Sequence, residues 1–433
     1  MGYGGPSLEN ASGRLREHGR LAVPVRAARL LALLLALAAC AQTPQRTPPD
    51  ELRVGTSADY APFTERDAGA PDGLAGFDVE LVRRFAAERG ARPVWVRFRW
   101  PELAGDLRAG RFDVAVGGVT VRPERIALGR FTRPLAEGGA VLLVRAGAPE
   151  SVEAPGTRIA VNAGGHLERV ARASFPAARV DAVSDNAAVP GLLARGEVDA
   201  VVSDVFEARR WLAEVPGARL VGPFTRDRKA WWVRADRADL ADALDAWLAA
   251  READGTLARL RAERLGLPDA ARTAAPLPAL LSALRERLEL MPLVAEAKRG
   301  SGAPLEDPAR EARVVEDAVA AARAAAARRG VAPPSDEPVR ALFRAQIEAG
   351  KAVQAAVLAG PAAGGAPLDL ATELRPALTR VGERIAALLV ELPADLPEAP
   401  LRRGVEAELA LPGVSPAARA ALADALVRLS HPR

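Results

Sequence analysis

From residue 51 onward the chain alternates short β-branched runs with stretches of helical period. Apolar runs at 52–56, 94–98 and 112–116 surround a helical pattern at 77–89. The arrangement returns with runs at 158–162, 179–183 and 200–203, separated by helical patterns at 168–174 and 189–195. Strand, helix, strand is the grammar of α/β domains. Two α/β lobes with a cleft between them are therefore expected, closed by a helix over 240–265. A linker rich in Pro and Ala covers 268–276, and beyond it strand signals give way to Ala, Leu, Glu and Arg at helical spacing. Prolines such as Pro304, Pro308, Pro333, Pro361, Pro393 and Pro412 cut this second part into helices of unequal length. The expectation is an α/β two-lobe domain at 51–267 followed by an all-α domain at 277–433.

The amino-terminal stretch reads differently. Arg26 and Arg29 precede an apolar run at 30–39, the length of a signal h-region and too short to span a bilayer as a mature helix. Leu37-Ala38-Ala39-Cys40 carries the small residues that lipoprotein processing needs before a cysteine. Residues 1–40 are therefore expected to be a lipoprotein signal peptide, with a leading stretch from Met1 to Pro24 longer than an n-region needs. Cys40 would carry the lipid, and the polar, Pro-rich residues 41–50 would form a tether. This predicts a periplasmic protein held to a bacterial membrane by its lipid alone.

Composition narrows the chemistry. Cys40 is the only cysteine, which removes disulfides, cysteine-based zinc sites and cysteine nucleophiles from the rest of the chain. Only His18, His166 and His431 are present, so no metal site is expected, and no cofactor is called for. The net charge of +4 comes with arginines spread along the whole chain, which argues against a nucleic-acid partner. Aromatics are 4% of residues, so Trp100, Trp231 and Trp232 each carry more information than usual.

Three segments of the first half carry a resemblance. Gly55-Thr56-Ser57-Ala58-Asp59-Tyr60-Ala61-Pro62-Phe63, Gly76-Phe77-Asp78-Val79-Glu80 and Gly117-Gly118-Val119-Thr120-Val121-Arg122-Pro123-Glu124-Arg125 resemble the family 3 extracellular solute-binding proteins, with a periplasmic-binding-protein-like fold. The resemblance implies that Thr120 and Arg125 grip a ligand carboxylate, a role suited to a guanidinium fork. Trp100-Pro101-Glu102-Leu103, Val161-Asn162-Ala163-Gly164-Gly165 and Ser203-Asp204-Val205-Phe206-Glu207 are similar to the cyclohexadienyl dehydratases on that scaffold. On that pattern Glu207 is the proton donor, and Asp204 stands where receptors pair an acid with a ligand ammonium. Asn162 and Lys229 would hold substrate from the second lobe, with Trp100 as an apolar wall. On spacing alone Glu207 would be a solvated helix residue facing Arg210. His166 departs from the pattern, which places a small hydroxyl residue after Gly-Gly. It reads as an exposed loop histidine or as one that narrows substrate choice.

In the second half, Arg287 and Lys298 fall about three turns apart on one expected helix, and Asp307-Pro308 reads as a helix start. With Arg310-Glu311 and the run through Gly350 to Gln354, this resembles the AroQ-type chorismate mutases of the exported gamma subclass, all-α in fold. The resemblance implies that Arg287, Arg310 and Arg384 hold carboxylates, Lys298 and Gln354 the ether oxygen, and Glu311 the ring hydroxyl. Gly350 replaces a residue that usually has a polar side chain. Such a site needs only placement and electrostatics.

Together the halves imply an enzyme that converts chorismate to prephenate and prephenate to phenylpyruvate, with arogenate to phenylalanine as a further use of the second site. The rival from another class is an amino-acid receptor of a transporter or sensor, with the helical domain as a mutase or interaction module.

Overall fold

The computed structural model describes residues 50–148, 152–268, 272–364 and 366–431. The expected signal peptide and the lipidation site Cys40 lie outside the described residues, as does all but the last residue of the tether. Among the described residues no helix is long and apolar enough to cross a membrane.

Two five-stranded sheets form the two expected lobes. In the first, Glu51–Thr56 pairs in parallel with Arg92–Arg97 and Val114–Ala115, and Trp232–Arg234 closes antiparallel against Val114–Ala115 and Gly129–Phe131. In the second, Arg158–Asn162 pairs in parallel with Arg179–Val183 and Ala200–Asp204, with Ala140–Val144 and Arg219–Val221 antiparallel at the far side. Chain reversals at a parallel centre leave a crevice at the carboxyl ends of the strands. Among the described residues, two short strands cross between the lobes, Ala136–Gly138 and Asp227–Lys229, paired antiparallel. They form the hinge.

Side chains alternate across a strand, and this alternation gives the hinge two faces. Lys229 and Asp227 bond groups lining the cleft. Between them Arg228, 2% exposed, points the other way and bonds Ser282 Oγ (2.7 Å), Ser282 O (2.8 Å) and Glu289 of the helical domain.

That domain comprises the helices Pro276–Glu289, Met291–Ser301, Pro308–Arg329, Asp336–Ala359, Arg375–Leu389, Glu398–Glu408 and Pro416–Ser430. Its core of Leu280, Leu284, Phe343, Ile385 and Leu426 runs without interruption into Phe112, Ile126, Phe131 and Trp232 of the first lobe. Polar contacts reinforce this continuity. Arg133, fully buried, bonds Asp245 and Glu391, and Arg380 Nη2 donates to Ala127 O at 2.8 Å. The Arg133 guanidinium has its donors met by the two acids and by Ala274 O at 2.9 Å, which offsets its desolvation.

Local chemistry explains the departures from expectation. The helix expected over 240–265 is divided: Ala238–Ala253 ends before Gly255, whose φ of +79° is left-handed. Arg287 and Lys298 sit on two consecutive helices. Pro292 has no N–H for the Leu288 carbonyl, so the run breaks at Leu290. The expected strand 112–116 is regular only over Val114–Ala115.

Candidate active sites

The cleft site starts with Asp78, buried one residue into the helix Phe77–Glu88. Its Oδ2 accepts from Gly117 N (2.7 Å) and Gly118 N (2.9 Å), and its Oδ1 from Trp231 Nε1 (3.0 Å). Gly118, at φ +66°, lies so close to the Tyr60 ring that an added Cβ would approach it to 2.5 Å. The loop held this way delivers Thr120 and, at the start of the helix Pro123–Leu128, Arg125. Arg125 Nη1 donates to Thr120 O at 2.9 Å, and its guanidinium lies 6.0 Å from the Trp232 ring centre. No acid pairs with Arg125 among the described residues. Burial and the nearby Arg122 bring it down to about 9, so it remains a cation near neutrality with its charge available.

Trp100, Thr120, Arg125, Asn162, Glu207 and Lys229 line one cavity of about 50 Å3, together with Tyr60, His166 and Asn186. So small a space requires the lobes to open before a ten-carbon substrate can enter. Lys229 belongs to the hinge strand and not to the second lobe, whereas Asn162 ends a second-lobe strand. Lys229 Nζ lies 2.8 Å from Asp204 Oδ2, 2.9 Å from Thr120 Oγ1 and 3.3 Å from the Tyr60 hydroxyl. Asp204 is wholly buried and caps the helix Val205–Trp211 through Phe206 N. Its cation partner is thus supplied by the protein.

Glu207 is 4% exposed. Its two oxygens take hydrogen bonds from Asn186 Nδ2 (2.5 Å) and Ser203 Oγ (2.6 Å). Burial pushes its carboxyl up to about 8 against these two bonds, and the carboxylates of Asp204 and Asp59 add to the rise. The solvated reading does not hold, since Arg210 bonds Glu65. His166 is the first residue of the helix His166–Ser174, with Nε2 at 3.0 and 3.1 Å from the Asp227 oxygens. It is therefore a cavity-lining residue and not an exposed loop residue.

The helical domain holds a cavity of about 320 Å3 lined by Arg287, Lys298, Arg310, Glu311 and Gln354. Arg287, 6% exposed, has no acid partner among the described residues, and burial brings it down to about 10. Lys298 is lowered by burial and donates to Leu305 O at 2.8 Å. Asp307 caps its helix through Arg310 N, while Glu311 takes the Asp307 N–H in return, a reciprocal capping pair. Gln354 donates to Met291 Sδ and Gly350 O, so offering its amide N–H to a ligand requires a half-turn of the amide. Gly350 packs against Met291, whose sulfur would lie 2.9 Å from an added Cβ. The glycine therefore serves helix packing.

Arg384 departs from expectation. It bonds both Glu286 oxygens at 2.9 Å and lines a separate cavity of about 570 Å3 between the helical domain and the first lobe. Arg375, on the same helix, lines the mutase-like cavity, together with Lys351 and Thr379. Sequence reasoning missed Arg375, Tyr60, Asn186 and Asp227. Among the described residues no group of three or more His, Cys, Asp or Glu side chains is placed to hold a metal ion.

Residues 52–266 match the profile of the bacterial extracellular solute-binding proteins, family 3, and residues 278–355 that of chorismate mutase type II. Cyclohexadienyl dehydratase of Pseudomonas aeruginosa is 33% identical over 215 residues, 48% of this chain and 79% of its own. The L-arginine-binding protein of that organism is 28% identical over 241 residues, 52% of this chain and 92% of its own. Among solved structures, an ancestral amino acid-binding protein that is a precursor of cyclohexadienyl dehydratase is 28% identical. It covers 50% of this chain and 95% of its own, with a TM-score of 0.46. The chain belongs to family 3 of the bacterial extracellular solute-binding proteins, with a chorismate mutase type II domain joined behind it.

Proposed function

We propose that the protein is a bifunctional enzyme of phenylalanine biosynthesis that turns chorismate into prephenate in the helical domain and prephenate into phenylpyruvate in the cleft. The observation that carries this reading is Glu207, a carboxyl pushed up to about 8 by burial in the same cavity that Arg125, a cation with no acid partner among the described residues, also lines. A receptor has no need of a buried acid kept neutral. Prephenate aromatises when the bond to its ring carboxylate breaks, carbon dioxide leaves, and the electron pair moves through the ring to expel the ring hydroxyl. Hydroxide leaves poorly, so Glu207 gives its proton to that oxygen and water departs. Arg125 and Thr120 hold a substrate carboxylate, Asn162 and Lys229 add donors, and Trp100 supplies an apolar wall. Lobe closure excludes water around the reacting groups.

In the helical cavity the chemistry is a rearrangement without proton transfer. Arg287, Arg310 and Arg375 fix the two carboxylates so that the enolpyruvyl arm lies over the ring, and Lys298 and Gln354 meet the ether oxygen as its bond lengthens. Glu311 accepts from the ring hydroxyl. Export and lipid attachment at Cys40 complete the proposal, supported by the apolar run and the small residues before the cysteine. Cys40→Ser should release the protein from the detergent phase on partitioning.

The test of the whole reading supplies the purified protein with chorismate alone and follows prephenate and phenylpyruvate by absorbance. Phenylpyruvate establishes both steps. Prephenate that accumulates unchanged removes the dehydratase, and unchanged chorismate removes the mutase.

A further inference from the structure

Prephenate carries two carboxylates, and the closed cleft offers Arg125 as a receiver for one of them. Arg125 has no acid partner among the described residues. Lys229 is offset by Asp204 at 2.8 Å, and Glu207 is neutral when protonated. Among the described residues Arg125 is therefore the one cation lining the cavity without an acid beside it, and a second carboxylate still needs a donor of its own, because an unsatisfied buried anion is costly.

We propose that His166 is the missing substrate-positioning residue: as an imidazolium oriented by Asp227, it receives the second carboxylate of the substrate. This rests on the dehydratase reading of the cleft. The geometry supports it at three points. Nε2 lies 3.0 and 3.1 Å from the two Asp227 oxygens, so its proton is committed to that carboxylate. Nδ1, on the other edge of the ring, has no hydrogen-bond partner in the protein among the described residues, and the ring lines the cavity. The residue also opens a nine-residue helix, whose positive end adds to the attraction for an anion.

A neutral ring bonded through its Nε2–H would present a lone pair at Nδ1 and repel a carboxylate. Protonation converts that edge to a donor for the incoming carboxylate, with Asp227 as the counter-ion on the other edge. Although burial opposes it, the bond from His166 and the charge of Lys229 hold the Asp227 carboxyl below its ordinary range. The other charged groups around the ring are matched among themselves: Arg169 with Glu124 (2.7 Å), Arg172 with Glu168 (2.8 Å) and Arg122 with Glu124 (3.3 Å).

The test compares wild type, His166→Gln and Asp227→Asn for prephenate turnover between pH 6 and 9, with the mutase rate of each variant as a measure of intact folding. His166→Gln keeps a donor and loses the charge. It should raise KM for prephenate at least about ten-fold at pH 6.5 while kcat changes little, and the gap to wild type should close as pH rises and the wild-type ring loses its proton. Asp227→Asn should move the fall in wild-type-like affinity to lower pH. An unchanged KM in His166→Gln, or a KM rise equal at all pH values, overturns the proposal. Prephenate binding to Glu207→Gln and to Glu207→Gln/His166→Gln, measured by calorimetry, separates the two claims. Binding that weakens without His166 supports its role even if wild type fails to turn prephenate over, a failure that sinks the dehydratase reading instead.

Discussion

Lys229 Nζ stands 2.8 Å from Asp204 Oδ2 inside the closed cleft. An acid at this place that was open to the cleft could take the ammonium of an amino acid, and here a lysine of the hinge strand already occupies it. Arogenate, which carries an ammonium, would have to share or displace that partner, whereas prephenate would not. The enzyme should therefore prefer prephenate in kcat/KM. Lys229→Met should narrow the preference by about ten-fold or more, and paired initial rates with the two substrates check this. An unchanged ratio would mean that Asp204 takes no part in the choice.

Glu207→Gln should remove the proton donor and lower dehydratase kcat by about 10²–10⁴-fold without altering the mutase rate. In the wild type kcat should fall as pH rises through about 8, where the acid ionises. Stability follows the same group. Its folded pKa lies above its unfolded value, so the unfolded chain gives up the proton first as pH rises, and stability is lost between roughly 4.5 and 8. Glu207→Gln cannot ionise and should melt above wild type at pH 8, by a margin that vanishes near pH 4.5.

On the helix Arg375–Leu389, two arginines should separate cleanly. Arg375→Ala removes a cation from the mutase-like cavity and should lower kcat/KM for chorismate by at least about 10²-fold, in the range seen when one preorganised charge is lost. Arg384→Ala should leave that rate within a few-fold but lower the melting temperature, because Glu286 is left buried without this partner. Equal losses of rate in both variants would contradict the division of the two cavities.

Arg228→Ala should destabilise the protein by about 1–3 kcal/mol, since it removes the buried donor to Ser282 and Glu289 while Arg285 still pairs with Glu289 and Arg384 with Glu286. Arg228→Met combined with Glu289→Leu should recover much of the loss. Denaturant unfolding of the three chains checks the order.

What was legible in the sequence follows chain distance. Thr120 and Arg125 sit in one loop-helix unit, and Ser203 through Glu207 in another, so each motif carries its own geometry. Tyr60 and Asn186 reach the same cavity, and Asp227 reaches its His166, from strands and turns far apart in the chain, and only the closed topology joins them. Arg375 and Arg384 differ for another reason. Nine positions are about two and a half helical turns, so the two side chains leave opposite faces. Choosing between them needs the rotational phase of the helix, which its regularly spaced alanines and leucines leave open. The break at Leu290 shows a weaker case of the same kind, because Pro292 marks where a helix is interrupted but not which cavity its two parts will line.

The hinge strand Asp227–Lys229 has a consequence for how this chain can have arisen and changed. Its outer residues bond groups lining the cleft and its middle residue is held by the helical domain, so the surface where the two halves meet is not a neutral one. A recombination event that exchanged either half at the residue 268–276 joint would leave a buried guanidinium without Ser282 and Glu289 to receive its donors. Descent should therefore have kept the two halves together once Arg228 was in place, and substitutions at Arg228, Ser282, Glu286 and Glu289 should be inherited as a set rather than singly.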